Sequence, residues 1–85
     1  MYAVTGSWQV DTALDAEQLA HIPETVRHHG GFVRGYWGQE PNDTTLAHAF
    51  VVFDDLTAAE AMAQGVRAAI PSANLSILRI LASAE

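Results

Sequence analysis

Three side chains near the middle of the sequence are of types that move protons or hold anions. Arg34 and Tyr36 stand two residues apart in "FVRGYWGQ", and His48 lies inside the apolar run "TLAHAFVVF". Side chains two apart on an extended strand point the same way, so Arg34 and Tyr36 would act on one object. A guanidinium there would grip a carboxylate or a developing oxyanion through two parallel hydrogen bonds, and the phenol would donate a hydrogen bond or a proton. The structural alternative is an ion pair from Arg34 to a loop acid, with Tyr36 in the core. His48, in apolar surroundings, can titrate near neutral pH and act as acid or base. Its alternative is a hydrogen bond across an interface, since buried polar groups are generally satisfied.

Trp8, Trp37 and Tyr2 could stack on a planar aromatic ligand or simply fill core and interface. Arg79 is unusual in the otherwise apolar "SILRIL"; it needs an acidic or carbonyl partner, or an edge position. It is a further candidate for the pocket. His21, His28 and His29 fall on or at the end of a predicted helix, where they interact favourably with its dipole. His21 and His28 are two turns apart, too far for one metal. Without cysteine or an H-x-x-x-H pair, neither a metal site nor a metal cofactor is expected.

Bulk properties limit the setting. With 85 residues the chain makes a single domain, 1–85, that buries about 60% of its unfolded surface, so association would help it. Ten acidic residues against four basic ones, all arginine, give a net charge of -6, which repels phosphate backbones and argues against nucleic-acid binding. The apolar residues come in short runs, so neither a membrane span nor a secretory signal is expected, and the default location is cytoplasmic.

The candidates must be placed by secondary structure. Residues 2–10 alternate apolar with small or polar side chains and predict a first strand. From Ala16 to His29, Leu19, Ile22 and Val26 form a helical stripe, with a kink or restart at Pro23, whose ring removes the bond to the carbonyl of Leu19. Gly30 and Gly31 end it. "FVRGYWGQ" is a second strand, "EPND" a turn, and "TLAHAFVVF" the returning third strand. Thr57 and Glu60 form a T-x-x-E capping box that predicts a second helix, with Ala59, Met62, Val66 and Ala69 on one side, stopping before Pro71. Residues 74–82 make a fourth strand.

The order is βαββαβ: a ferredoxin-like α+β domain with a four-stranded antiparallel sheet and two helices on one face. The third strand then poses a problem. Leu46, His48, Phe50 and Val52 point one way and Ala47, Ala49, Val51 and Phe53 the other, so both faces are largely apolar while the helices cover one. Soluble monomers rarely leave such a patch exposed, and a second copy, sheet against sheet, is the expected cover.

"GGFVRGYWG", a strand ending "VVFDD" and a helix beginning "TAAEAM" make the chain similar to the dimeric α/β-barrel superfamily, particularly small proteins like antibiotic-biosynthesis monooxygenases. The likeness covers nearly the whole chain, on soft motifs: Gly31 and Phe32 opening the second strand and Phe53 closing the third. It implies a homodimeric barrel with a ligand cavity between helices and sheet in each monomer. Relatives usually bury the phenylalanine of the second strand under the helices. That implies Phe32 there, with Arg34 and Tyr36 looking into the same cavity; a one-residue change of register would swap them for Val33, Gly35 and Trp37. Phe53 and a tryptophan would wall the pocket, and His48 would face the dimer interior if Phe53 faces the helices.

Two positions depart from the family. Its monooxygenases often carry Asn and Trp four residues apart on the third strand, where this chain has Ala49 and Phe53, and haem-degrading relatives take a histidine from the second helix, which here has none. The expected function is therefore binding of a small hydrophobic or aromatic molecule without a cofactor. It would be either cofactor-independent monooxygenase-like, with Arg34, Tyr36 and His48 as the catalytic set, or a non-catalytic ligand-binding or structural dimer, which Ala49 favours.

Overall fold

The computed structural model describes residues 1–9 and 22–84. Its strands are β1 (Tyr2–Gln9), β2 (Phe32–Glu40), β3 (Asp43–Phe53) and β4 (Asn74–Arg79), joined in one antiparallel sheet of order β2-β3-β1-β4. Helical residues 22–26, here α1, precede β2, and α2 (Leu56–Ala69) lies between β3 and β4. The fold is the ferredoxin-like βαββαβ arrangement that the pattern of elements predicts.

Register fixes which residues share a face. Tyr2, Val4, Gly6 and Trp8 of β1 stand opposite Phe53, Val51, Ala49 and Ala47 of β3, and this set faces the helices. The core is Val4, Val51 and Phe53 against Ala59, Met62 and Ala63 of α2, with Val26, Phe32, Trp37, Leu75 and Ile77 around it. Phe53 is fully buried and meets Phe32 edge to face, with ring centroids 6.3 Å apart. Ala69, expected on the apolar side of α2, is exposed; the buried stripe is Ala59, Met62 and Ala63.

The start of α2 also differs from the capping-box expectation. Asp55 is the N-cap, its carboxylate accepting from the N–H of Ala58 at 2.7 Å, so Thr57 falls inside the first turn. Both residues are good caps by type, and the backbone geometry at Asp55, extended at φ -138° and ψ 162°, is the one that places a side-chain acceptor over the first free N–H groups. At the other end Ile70 N–H donates to the carbonyl of Val66 at 2.7 Å, and Pro71 follows. β4 ends at Arg79, short of the expected Ala82, although Ile80 N–H still donates to the carbonyl of Met1.

In α1, Arg27 N–H donates to the carbonyl of Pro23 at 2.9 Å, so the turn around Pro23 is helical. The expected stripe residue Leu19 and the side chain of His21 lie outside the described residues. Gly31 does end this segment, at φ 83°, where a side chain is disfavoured. Added bulk there would also meet Asp54 Oδ1 at 2.7 Å, because Asp54 N–H bonds back to the carbonyl of Gly31. That contact ties the exit of β3 to the entry of β2.

Candidate functional site

The site is built by an irregularity at the start of β2. Phe32 pairs with Phe53, but Arg34 pairs with Val52, so two residues of β2 advance against one of β3 and Val33 is the extra residue of a β-bulge. The side chains from Arg34 to Gln39 change face as a result. Gly35 pairs with Val51, Trp37 with Ala49 and Gln39 with Ala47, all toward the helices. Arg34, Tyr36 and Gly38 pair with Val52, Phe50 and His48, on the open face.

The expectation that Arg34 and Tyr36 share the face of Phe32 and look into the helix-side cavity is therefore corrected. The physical preference is clear: the bulge leaves a guanidinium and a phenol in contact with water and buries an indole in their place. Arg34 and Tyr36 are exposed, and Tyr36 retains 63% of its accessible surface.

Trp37 owes its position to Gly35. The two share a face, and a methyl group at Gly35 would stand 2.5 Å from the indole, so the ring folds back over the glycine. Its indole then forms one wall of a cavity of about 160 Å³ between helices and sheet. Val4, Gly6, Trp8, Ala49 and Val51 line the sheet side; Ile22, Val26, Met62, Val66 and Ile70 line the other. Among the described residues this lining contains no ionisable side chain. Phe32 and Phe53, expected in the pocket, pack into the adjoining core instead.

The open face carries the titratable candidates. His48 lies between Gly38 of β2 and Ser7 of β1 and borders three shallow depressions, one toward Thr5 and Ser76, one toward Tyr36 and Phe50, one toward Glu40 and Pro41. Its Nε2 is shielded, has no hydrogen-bond partner among the described residues, and sits 3.8 Å from Glu40 Oε1. Nearby, Asp43 accepts from the backbone N–H and hydroxyl of Thr45. Those two bonds, the hydroxyl's first, hold its carboxyl below the usual carboxylate range against an opposing effect of desolvation, with the proximity of His48 a lesser contribution in the same direction as the bonds.

Arg79 stands on the edge strand β4, opposite Tyr2, with its guanidinium carbon 5.9 Å from the Tyr2 ring centroid. A cation over a ring face accounts for its place without a pocket role. No group of three His, Asp or Glu side chains that could hold a metal occurs among the described residues, and no described helix is long and apolar enough to cross a membrane.

This architecture is found in solved structures. A Deinococcus radiodurans protein assigned as an antibiotic biosynthesis monooxygenase superposes with a TM-score of 0.66 at 13% identity, over 100% of this chain and 97% of that one. The fold is that of the antibiotic biosynthesis monooxygenases. An asparagine-to-alanine mutant of SnoaB, a cofactor-independent oxygenase from Streptomyces nogalater, gives 0.66 at 15% identity over 96% and 94% of the two chains. The monooxygenase of the gene ActVA-Orf6 from Streptomyces coelicolor, in complex with nanaomycin D, gives 0.63 at 14% identity over 99% and 90%. No family model and no curated protein matches the sequence.

Sequence reasoning singled out Trp8 and Trp37 but left unread the parts played by two residues that make them a site. One is Gly35, whose signal was available as a glycine two residues before a tryptophan on one strand. The other is Ala49, which was noted as a departure from a family pattern and forms part of the cavity floor.

Proposed function

We propose that the protein is a homodimer that binds a small aromatic or hydrophobic organic molecule between its helices and sheet. The observation that carries this is the apolar cavity walled by Trp8 and Trp37, of a size suited to a single aromatic ring. Likeness in fold to a cofactor-independent oxygenase, and to a monooxygenase holding an organic ligand, supports the same use of the scaffold.

Dimerisation is supported by the open face. Tyr36 at 63%, Leu78 at 49% and Phe50 at 40% exposure lie on that face, and Tyr36 and Phe50 border His48, whose Nε2 has no hydrogen-bond partner among the described residues. A second copy packed sheet to sheet would cover them. Arg34, Tyr36 and His48 would then act at that interface rather than on a ligand beneath the helices.

Between the two uses of such a pocket, the geometry favours retention without oxidation. Cofactor-independent oxygenation requires a substrate carbanion, and the cavity lining offers no base among the described residues to form one. Native mass spectrometry of the purified protein, followed by oxygen-uptake measurements with phenolic substrates, tests both parts. A dimer that retains a releasable aromatic molecule and consumes no oxygen fits the proposal. A bare monomer would contradict it, and catalytic oxygen uptake would replace retention by the monooxygenase-like alternative.

A further inference from the structure

The two indoles of the cavity stand on strands either side of β3. Trp8 of β1 is opposite Ala47 and Trp37 of β2 is opposite Ala49, so two strand spacings, about 10 Å, separate the backbones that carry them. The floor between them is of small residues, Ala49 and its neighbour Gly6. It ends toward β4 at Leu75, whose side chain lies so close to Gly6 that a methyl group added there would collide with it. Met62, packed into the core at 5% exposure, and Val66 close the space from α2. What is left, about 160 Å³, is close to the roughly 150 Å³ that holds one benzene ring in an apolar core.

Resting on the proposal that this cavity takes an aromatic molecule, we infer that it takes a monocyclic one and that Trp8 and Trp37 exclude fused rings. The indoles are the largest side chains that line the space, and they bound it at either side of the floor. A second fused ring would have to displace an indole or the packed side chains of α2, and overfilling a close-packed site is destabilising. This limit runs against simple hydrophobicity, since a larger ring buries more apolar surface and on an open apolar patch would bind more tightly. Replacing either indole by a phenyl ring keeps an aromatic wall and makes room at that side of the site.

The test compares 4-fluorophenol with 6-fluoro-2-naphthol, which carry the same hydroxyl and fluorine on one ring and on two, titrated against the full chain by ¹⁹F NMR. The protein should bind 4-fluorophenol about tenfold more tightly. Trp37→Phe and Trp8→Phe, each checked for folding by a thermal melt, should lower that ratio by admitting the naphthol, and either folded variant decides the point. Equal affinities in the parent, or tighter binding of the naphthol, would overturn the size limit while leaving the cavity proposal intact. A ratio unmoved in the folded variants would overturn the assignment of the limit to the indoles. Failure of both probes to bind would refute the cavity proposal and this one with it.

Discussion

The indole of Trp37 lies across Gly35, two residues earlier on the same face of β2, so closely that a methyl group at Gly35 would meet the ring at 2.5 Å. This pair connects backbone to pocket: the bulge at Val33 turns Trp37 toward the helices, and the missing side chain of Gly35 lets the ring lie down and leave space beneath α2. Gly35→Ala should push the indole off the glycine. The expected cost is about 1–3 kcal/mol, as for other overpacked sites, partly offset by the lower entropy of alanine in the unfolded chain. A shift in tryptophan emission together with weaker aromatic binding would be the signature, and an unchanged emission spectrum would show that the ring does not occupy that place.

Ala49 sits on the cavity floor opposite Trp37. Ala49→Leu should fill the space rather than strain it, leaving stability within about 1 kcal/mol of the parent. Binding of a one-ring ligand should weaken at least tenfold. Calorimetric titration and a thermal melt on the same sample separate loss of space from loss of fold, and retained affinity would place the ligand elsewhere.

Phe50 points away from the helices and is 40% exposed in the single chain. A glutamate there would cost a monomer little, whereas in a sheet-to-sheet dimer it would bury an unpaired charge at a cost of several kcal/mol. Phe50→Glu should therefore yield a folded monomer by light scattering while the parent is a dimer. Equal masses for the two would count against this face as the interface.

The turn between β2 and β3 should carry a small pH dependence. Bonds from the Thr45 hydroxyl and N–H depress the Asp43 carboxyl, so its contribution is present above the ordinary carboxylate pKa and fades as pH falls through the lowered folded value. Thr45→Val removes the larger of the two bonds and should raise the Asp43 titration midpoint toward that of a free carboxylate. A carbon-detected NMR titration of Asp43 checks this, and an unaltered midpoint would mean that the hydroxyl does not hold the carboxylate.

Most of the fold could be read from residue pattern. Alternation in "YAVTGSWQ", the apolar run "TLAHAFVVF", the glycines before Phe32 and the "EPND" turn placed the first three strands, and the apolar residues after Pro71 the fourth. The two-sided apolar character of β3 likewise identified an uncovered face. The facing of Arg34 and Tyr36 was not legible, since a bulge adds one residue without altering composition and reverses every side chain after it. Competition between Asp55 and Thr57 for the helix cap was missed for a related reason: both are good caps, and geometry chose between them.

The most direct test of a ligand beneath the helices is a map of chemical-shift changes on adding 4-fluorophenol to isotope-labelled protein. The indole N–H signals of Trp8 and Trp37 and the methyl signals of Met62 and Val66 should move together, with Tyr36, His48 and Phe50 unaffected. Shifts confined to Tyr36, His48 and Phe50 would place binding on the open face and contradict the account.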